Sequence, residues 1–140
     1  MKKNNRQLYG YISTNRSKHN LKIHLIFVCK YRKNLLMNKI NDDMKIIIRN
    51  IESKSDFDIL EMETDKDHIH LMIQFPPRVA ISAIVNRIKS LSTYNIWRQN
   101  YYFLSKQFWK EKTFWTDGYF VCSIGEASPE TIQKYIQNQG

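Results

Sequence analysis

Only two cysteines, Cys29 and Cys122, occur in the 140 residues, far apart and each inside an apolar run. With no CxxC pair, neither a redox motif nor a cysteine zinc cluster is expected, only two thiols packed like small hydrophobes in a reducing compartment. No apolar run approaches the roughly 20 residues that span a bilayer. The opening MKKNNRQLYG has the lysines of a signal peptide without the apolar segment that must follow. A cytoplasmic protein is therefore expected. Internal repeats are missing, and so is low complexity beyond a polar N-terminal stretch. Acidic residues are scarce: thirteen Asp and Glu against twenty-two Lys and Arg leave a net charge of +9. That excess points to a polyanionic partner, most simply nucleic acid. A membrane surface is the weaker option, because no basic amphipathic helix stands out.

What is present reads as one domain, residues 21–140, behind a basic lead-in of residues 1–20. LKIHLIFVCK alternates, with Leu21, Ile23, Leu25, Phe27 and Cys29 on one face and Lys22, His24, Ile26, Val28 and Lys30 on the other. That is a strand. Residues 40–55 carry Ile40, Met44, Ile47, Ile48 and Ile51 at helical spacing. Asn41, Asp42 and Asp43 then suit the positive end of the helix dipole. Residues 57–64 and 68–75 read as a hairpin stopped by Pro76 and Pro77. A helix is expected over 79–99, an aromatic-rich loop after it, and a strand over 118–125. Ser128, Pro129 and Glu130 look like the cap, first position and first turn of a last helix. The order of strand, helix, strand, strand, helix, strand matches the ferredoxin-like α+β plan. Both main helices would cover one face of an antiparallel sheet and leave the other open.

The stretch KDHIHLMIQF carries two of the four histidines. Side chains alternate across a strand, so Ile69, Leu71, Ile73 and Phe75 form the core side and His68, His70, Met72 and Gln74 the open side. Two imidazoles one residue apart can grip one metal ion, or one phosphate when protonated. They can also be two surface histidines with no shared duty. His24, if its strand neighbours this one, lies on the same face, as a partner of the pair, a phosphate contact or a satisfied sheet histidine. His19 falls in the lead-in, where solvation is expected. On the last helix Tyr135 and Gln139 share a face, beside an apolar stripe of Ile132 and Ile136.

The triplet His68-Ile69-His70 and the run YIQNQ from Tyr135 to Gln139 closely resemble the single-tyrosine HUH transposases. These serve bacterial and archaeal insertion sequences of the two-hundred/six-hundred-and-five group, with relatives among the REP-associated tyrosine transposases. HLIFVCKYRK, EMETDKDHIHLMI and WTDGYFVCSIG resemble further segments of that family in the same order, so the likeness runs from about residue 21 to 139. It implies that His68, His70 and Gln139 bind a divalent metal and that Tyr135 attacks a phosphodiester of single-stranded DNA. The products would be a 5′-phosphotyrosine and a free 3′-hydroxyl. Hairpins near the ends of the element would be recognised. The resemblance also implies a homodimer whose active sites take the histidines from one copy and Tyr135 with Gln139 from the other. Two imidazoles and an amide suit manganese better than oxygen-loving magnesium, and Mn²⁺ or Mg²⁺ is the expected cofactor.

Basic residues suggest where DNA runs: Lys30, Arg32 and Lys33 after the first strand, Arg87, Lys89 and Arg98 on the second helix, and Lys106, Lys110 and Lys112 in the aromatic loop. Tyr101, Tyr102, Phe108, Trp109, Phe114 and Trp115 offer faces for exposed bases. A non-catalytic single-stranded nucleic-acid-binding module on the same fold is the alternative. A larger HUH nickase or replication initiator fits the short chain poorly.

Overall fold

The computed structural model describes residues 11–13, 18–123 and 129–139. Alternation and periodicity become the expected elements. Strand β3 (Leu21–Val28) leads through a 3-10 turn, Lys30–Arg32, to helix α1 (Asn38–Ser53). Strands β4 (Asp58–Asp65) and β5 (His68–Phe75) form the hairpin. Helix α2 (Ile81–Gln99), strand β6 (Phe120–Ser123) and helix α4 (Pro129–Gln137) follow. The sheet runs β4-β5-β3-β6 and is antiparallel throughout. Strand order and alternation together give the ferredoxin-like α+β arrangement.

One face of the sheet is closed. Leu25, Phe27, Ile69, Leu71 and Ile73 meet Met44 and Ile48 of α1 and Ile84 and Ile88 of α2 in one continuous core. Each of those side chains is removed from water, worth about 1.5–3 kcal/mol apiece. The opposite face carries a smaller cluster of Ile26, Val28 and Ile136, with Phe120, Ile132 and Tyr135 packed against it. Helix α4 therefore lies on the face that α1 and α2 leave open.

Several expectations change. The lead-in contains a small hairpin of β1 (Ile12–Ser13) and β2 (Lys18–His19). His19 is buried there, not solvated. Helix α1 begins at Asn38, so Asp42 and Asp43 lie past its first turn. Asp43 instead accepts hydrogen bonds from Lys39 and Asn100, which hold its carboxyl below the usual range. The aromatic loop contains a short helix, α3 (Tyr101–Ser105). Cys29 is buried, but Cys122 is only half-buried. Pro129 opens α4 and Glu130 sits in its first turn, while Ser128 lies outside the described residues.

Candidate active site

Strand register lays the open face out in rows. Glu63, His70, Ile26 and Phe120 stand side by side across the four strands. Asp65, His68 and Val28 form the next row, and Glu61, Met72, His24 and Cys122 the row on the other side. A period of two puts all these side chains on one surface. Exposed carboxylates thus line the β4 edge, and in the first two rows imidazoles come next and apolar groups occupy the β3–β6 half.

His68 Nδ1 lies 2.9 Å from Asp67 Oδ1. An ionised carboxylate only accepts, so Nδ1–H donates and Nε2 keeps its lone pair free. His70 Nε2 lies 2.7 Å from His24 Nδ1, the two rings sharing one proton. Glu63 Oε1 is 3.9 Å from the other nitrogen of His70. Burial, and then the neighbouring His24, push the His70 pKa down against the opposing pull of Glu63 and Glu61. His70 is thereby biased toward the neutral form that ligates a metal. His68 and His70 line a cavity of about 530 Å³ with Glu63, Asp65 and Ile132. Among the described residues no three His, Cys, Asp or Glu side chains group to hold an ion. His68 and His70, backed by Asp67 and facing carboxylates, fit half of a divalent-cation site and need a further ligand.

Tyr135 sits on the other half. Its ring centroid is 5.6 Å from that of Phe120, and Ile136 beside it is buried on Ile26 and Val28. The hydroxyl is shut from solvent and has no hydrogen-bond partner among the described residues. Burial raises its pKa, and the nearby Thr116 hydroxyl opposes this, although neither hydroxyl has a partner at hydrogen-bonding geometry. A first side-chain carbon placed at Gly118 would stand 3.7 Å from the phenolic oxygen. His70 and Phe120 flank Ile26 on opposite sides. Their backbones are therefore two strand spacings, about 9.5 Å, apart. Gln139 lines a separate cavity with Lys30, Tyr31 and Thr116. The structure thus gathers His24, His68 and His70, and sets Tyr135 and Gln139 elsewhere along the same face.

The basic residues predicted for DNA are largely engaged in the fold. Lys89 Nζ donates to three successive carbonyls, Thr116 at 2.6 Å, Asp117 at 3.0 Å and Gly118 at 2.9 Å. It clamps the turn that walls the tyrosine pocket. Arg87 donates to Ser55 Oγ and to the Lys54 carbonyl, tying α2 to the end of α1. Arg32 donates to the Gln137 carbonyl at 3.0 Å and so grips the end of α4. Lys30 lies 3.7 Å from Asp117, and the Lys33 ammonium lies over the Phe108 ring. Tyr31 and Arg32 have φ of 58° and 52°. Two consecutive left-handed side-chain-bearing residues cost about 1–2 kcal/mol each. Bonds from Arg32 N to Cys29 O and from Lys33 N to Lys30 O hold this turn. Thr116 and Gly118 were not foreseen as site residues, because their neighbour Tyr135 is distant in sequence and nothing local marks them.

Comparison with known proteins places the chain and its fold in a family. The family described as "Transposase IS200 like" matches residues 17–139. The ISDra2 transposase TnpA of Deinococcus radiodurans is 31% identical over 119 residues, covering 85% of this chain and 84% of that protein. A crystal structure from Deinococcus radiodurans, described as a transposase, superposes with a TM-score of 0.84 at 26% identity, covering 91% of this chain and 97% of that one. A REP-associated tyrosine transposase bound to a REP hairpin shares the fold, with a TM-score of 0.56 at 13% identity over 89% of this chain and 68% of its own. The chain belongs to the IS200-like family of transposases.

Proposed function

We propose that this transposase cuts and rejoins single-stranded DNA in the cytoplasm through Tyr135, with a divalent metal, Mn²⁺ or Mg²⁺, held by His68, His70 and Gln139. The observation that carries the reading is the oriented histidine pair: Asp67 fixes the His68 tautomer with its Nε2 lone pair free. In the reaction the phenolic oxygen bonds to phosphorus and the bond to the 3′ oxygen breaks. The phenol's proton ends on the released 3′-hydroxyl. The 5′-phosphotyrosine keeps the bond energy, so the 3′-hydroxyl of a new end reverses the step without ATP. The metal supplies charge stabilisation at the phosphate. His24 contacts His70 and holds its ring.

Tyr135, its hydroxyl buried and its pKa raised, is a poor nucleophile where it lies. Its distance from the histidines supports a homodimer in which α4 of one copy completes the histidine site of the other. Subterminal hairpins are the proposed recognition elements, a reading supported by the REP hairpin bound to a protein of the same fold. The test mixes the protein with labelled single strands from DNA flanking its gene, with Mn²⁺ or Mg²⁺, on a denaturing gel. A covalent adduct is expected, and neither Tyr135→Phe nor His68→Ala should form it alone. Mixing these two variants should restore it if the site is shared between copies. Tight binding with no adduct from the parent chain would establish the non-catalytic module instead.

A further inference from the structure

On the far side of the turn that Lys89 clamps lies a groove of about 930 Å³ between α2, Tyr101 and residues 112–117. Pockets of about 300–1,000 Å³ bury ligands well above the size of a single base. Two of its lining rings, Trp97 and Trp115, are fixed. Trp97 Nε1 donates to the Thr113 carbonyl at 2.8 Å, and Trp115 Nε1 to Ser92 Oγ at 3.0 Å. Two more are open: Tyr94 is 64% exposed and Tyr101 58%. Each open ring has its own cation. The Arg98 guanidinium lies 5.7 Å from the Tyr94 centroid, and Lys112 Nζ lies 5.6 Å from that of Tyr101. Asp117 is the one acidic lining residue, and its carboxylate faces Lys30.

Large aromatic rings left in water, each beside a cation, match a ligand with both a flat π-face and a negative charge. A base paired within a duplex has its faces covered by neighbours, whereas an unpaired base does not. We propose that this groove binds unpaired nucleotides of the single strand, with bases stacked on Tyr94 and Tyr101 and phosphates met by Arg98 and Lys112. This rests on the reading that the substrate is single-stranded DNA. The groove shares Thr116 and Asp117 with the turn behind the tyrosine pocket. A strand held there would run one turn's thickness from Tyr135.

The test measures anisotropy of labelled oligothymidylate, and of a fully paired hairpin without a tail, on the full-length chain. Tyr94→Ala with Tyr101→Ala should weaken oligothymidylate binding roughly 10- to 100-fold. Hairpin affinity and the thermal melt should stay as in the parent. Tyr94→Phe with Tyr101→Phe should bind like the parent, because stacking needs the ring and not the hydroxyl. Unchanged oligothymidylate affinity in the alanine pair, equal losses for hairpin and oligothymidylate, or a parent that does not bind oligothymidylate would each overturn the proposal. The adduct assay is independent: a parent that binds here but forms no adduct sinks the phosphotyrosine mechanism and leaves the groove standing.

Discussion

On the β4–β5 half of the open face, water reaches His68 and His70, and carboxylates surround them. On the β3–β6 half, Ile26 and Val28 are fully buried beneath Ile136 and Tyr135 packs against them, its hydroxyl beside Gly118 and without a hydrogen-bond partner among the described residues. The two halves share strand β3, yet they act as different solvents. One suits a cation and its charged substrate, and the other keeps a phenol protonated. Within one chain, the histidine pair proposed to hold the metal and the tyrosine proposed as nucleophile lie in contrasting environments. Joining them requires α4 to move or a second copy to contribute it.

The largest test of that contrast is Tyr135→Phe. Adduct formation should disappear, while the seat of α4 becomes more stable by about 1 kcal/mol because a buried hydroxyl without a partner is gone. Thermal melts beside the gel assay separate the two effects, and a destabilised variant would contradict the unpaired hydroxyl. On the polar half, Asp67→Ala should lower Mn²⁺ affinity about 10- to 100-fold by freeing the His68 ring. Calorimetry with and without the metal reads this, and equal affinity would mean that Asp67 does not orient the ligand. Ile136→Ala should cost the apolar half about 2–5 kcal/mol. Faster hydrogen exchange in α4, with α1 and α2 unaltered, is the expected pattern. Lys89→Met removes a charged donor from three carbonyls and should loosen the turn by about 1.5–3 kcal/mol. Local exchange at residues 116–118 measures it, and Lys89→Arg should recover part. The smallest effect is on pH. Burial raises the Tyr135 pKa above its ordinary 10.0. Docking of α4 should therefore be at full strength below about pH 10 and weaken as pH rises past that value. Tyr135→Phe should lose this dependence.

Period and alternation carried most of the fold. Alternation in residues 68–75 placed His68 and His70 on one surface, and His24 joins them because its strand pairs with theirs. The hairpin of β1 and β2 has two residues per strand, too few for any period. Helix α3 has five residues inside a stretch whose aromatics read equally well as loop. Lys89 looked like a phosphate contact because nothing nearby in sequence reveals that its acceptors lie 27 to 29 residues away. The place of Tyr135 depends on which surface α4 covers, a tertiary outcome that the spacing of Ile132 and Ile136 leaves open.

The acidic row of β4 has a consequence for assembly. β4 is an end strand of the sheet, and end strands offer unpaired backbone groups to any matching strand. Its exposed side chains are Glu61, Glu63 and Asp65, at every second position. Two copies meeting strand to strand along β4 would bring three carboxylates from each onto one surface. Like charges directly opposite one another cost about 0.2–1 kcal/mol per pair. Self-extension of the sheet on this side is thus disfavoured, which steers the chain away from growing into a fibre.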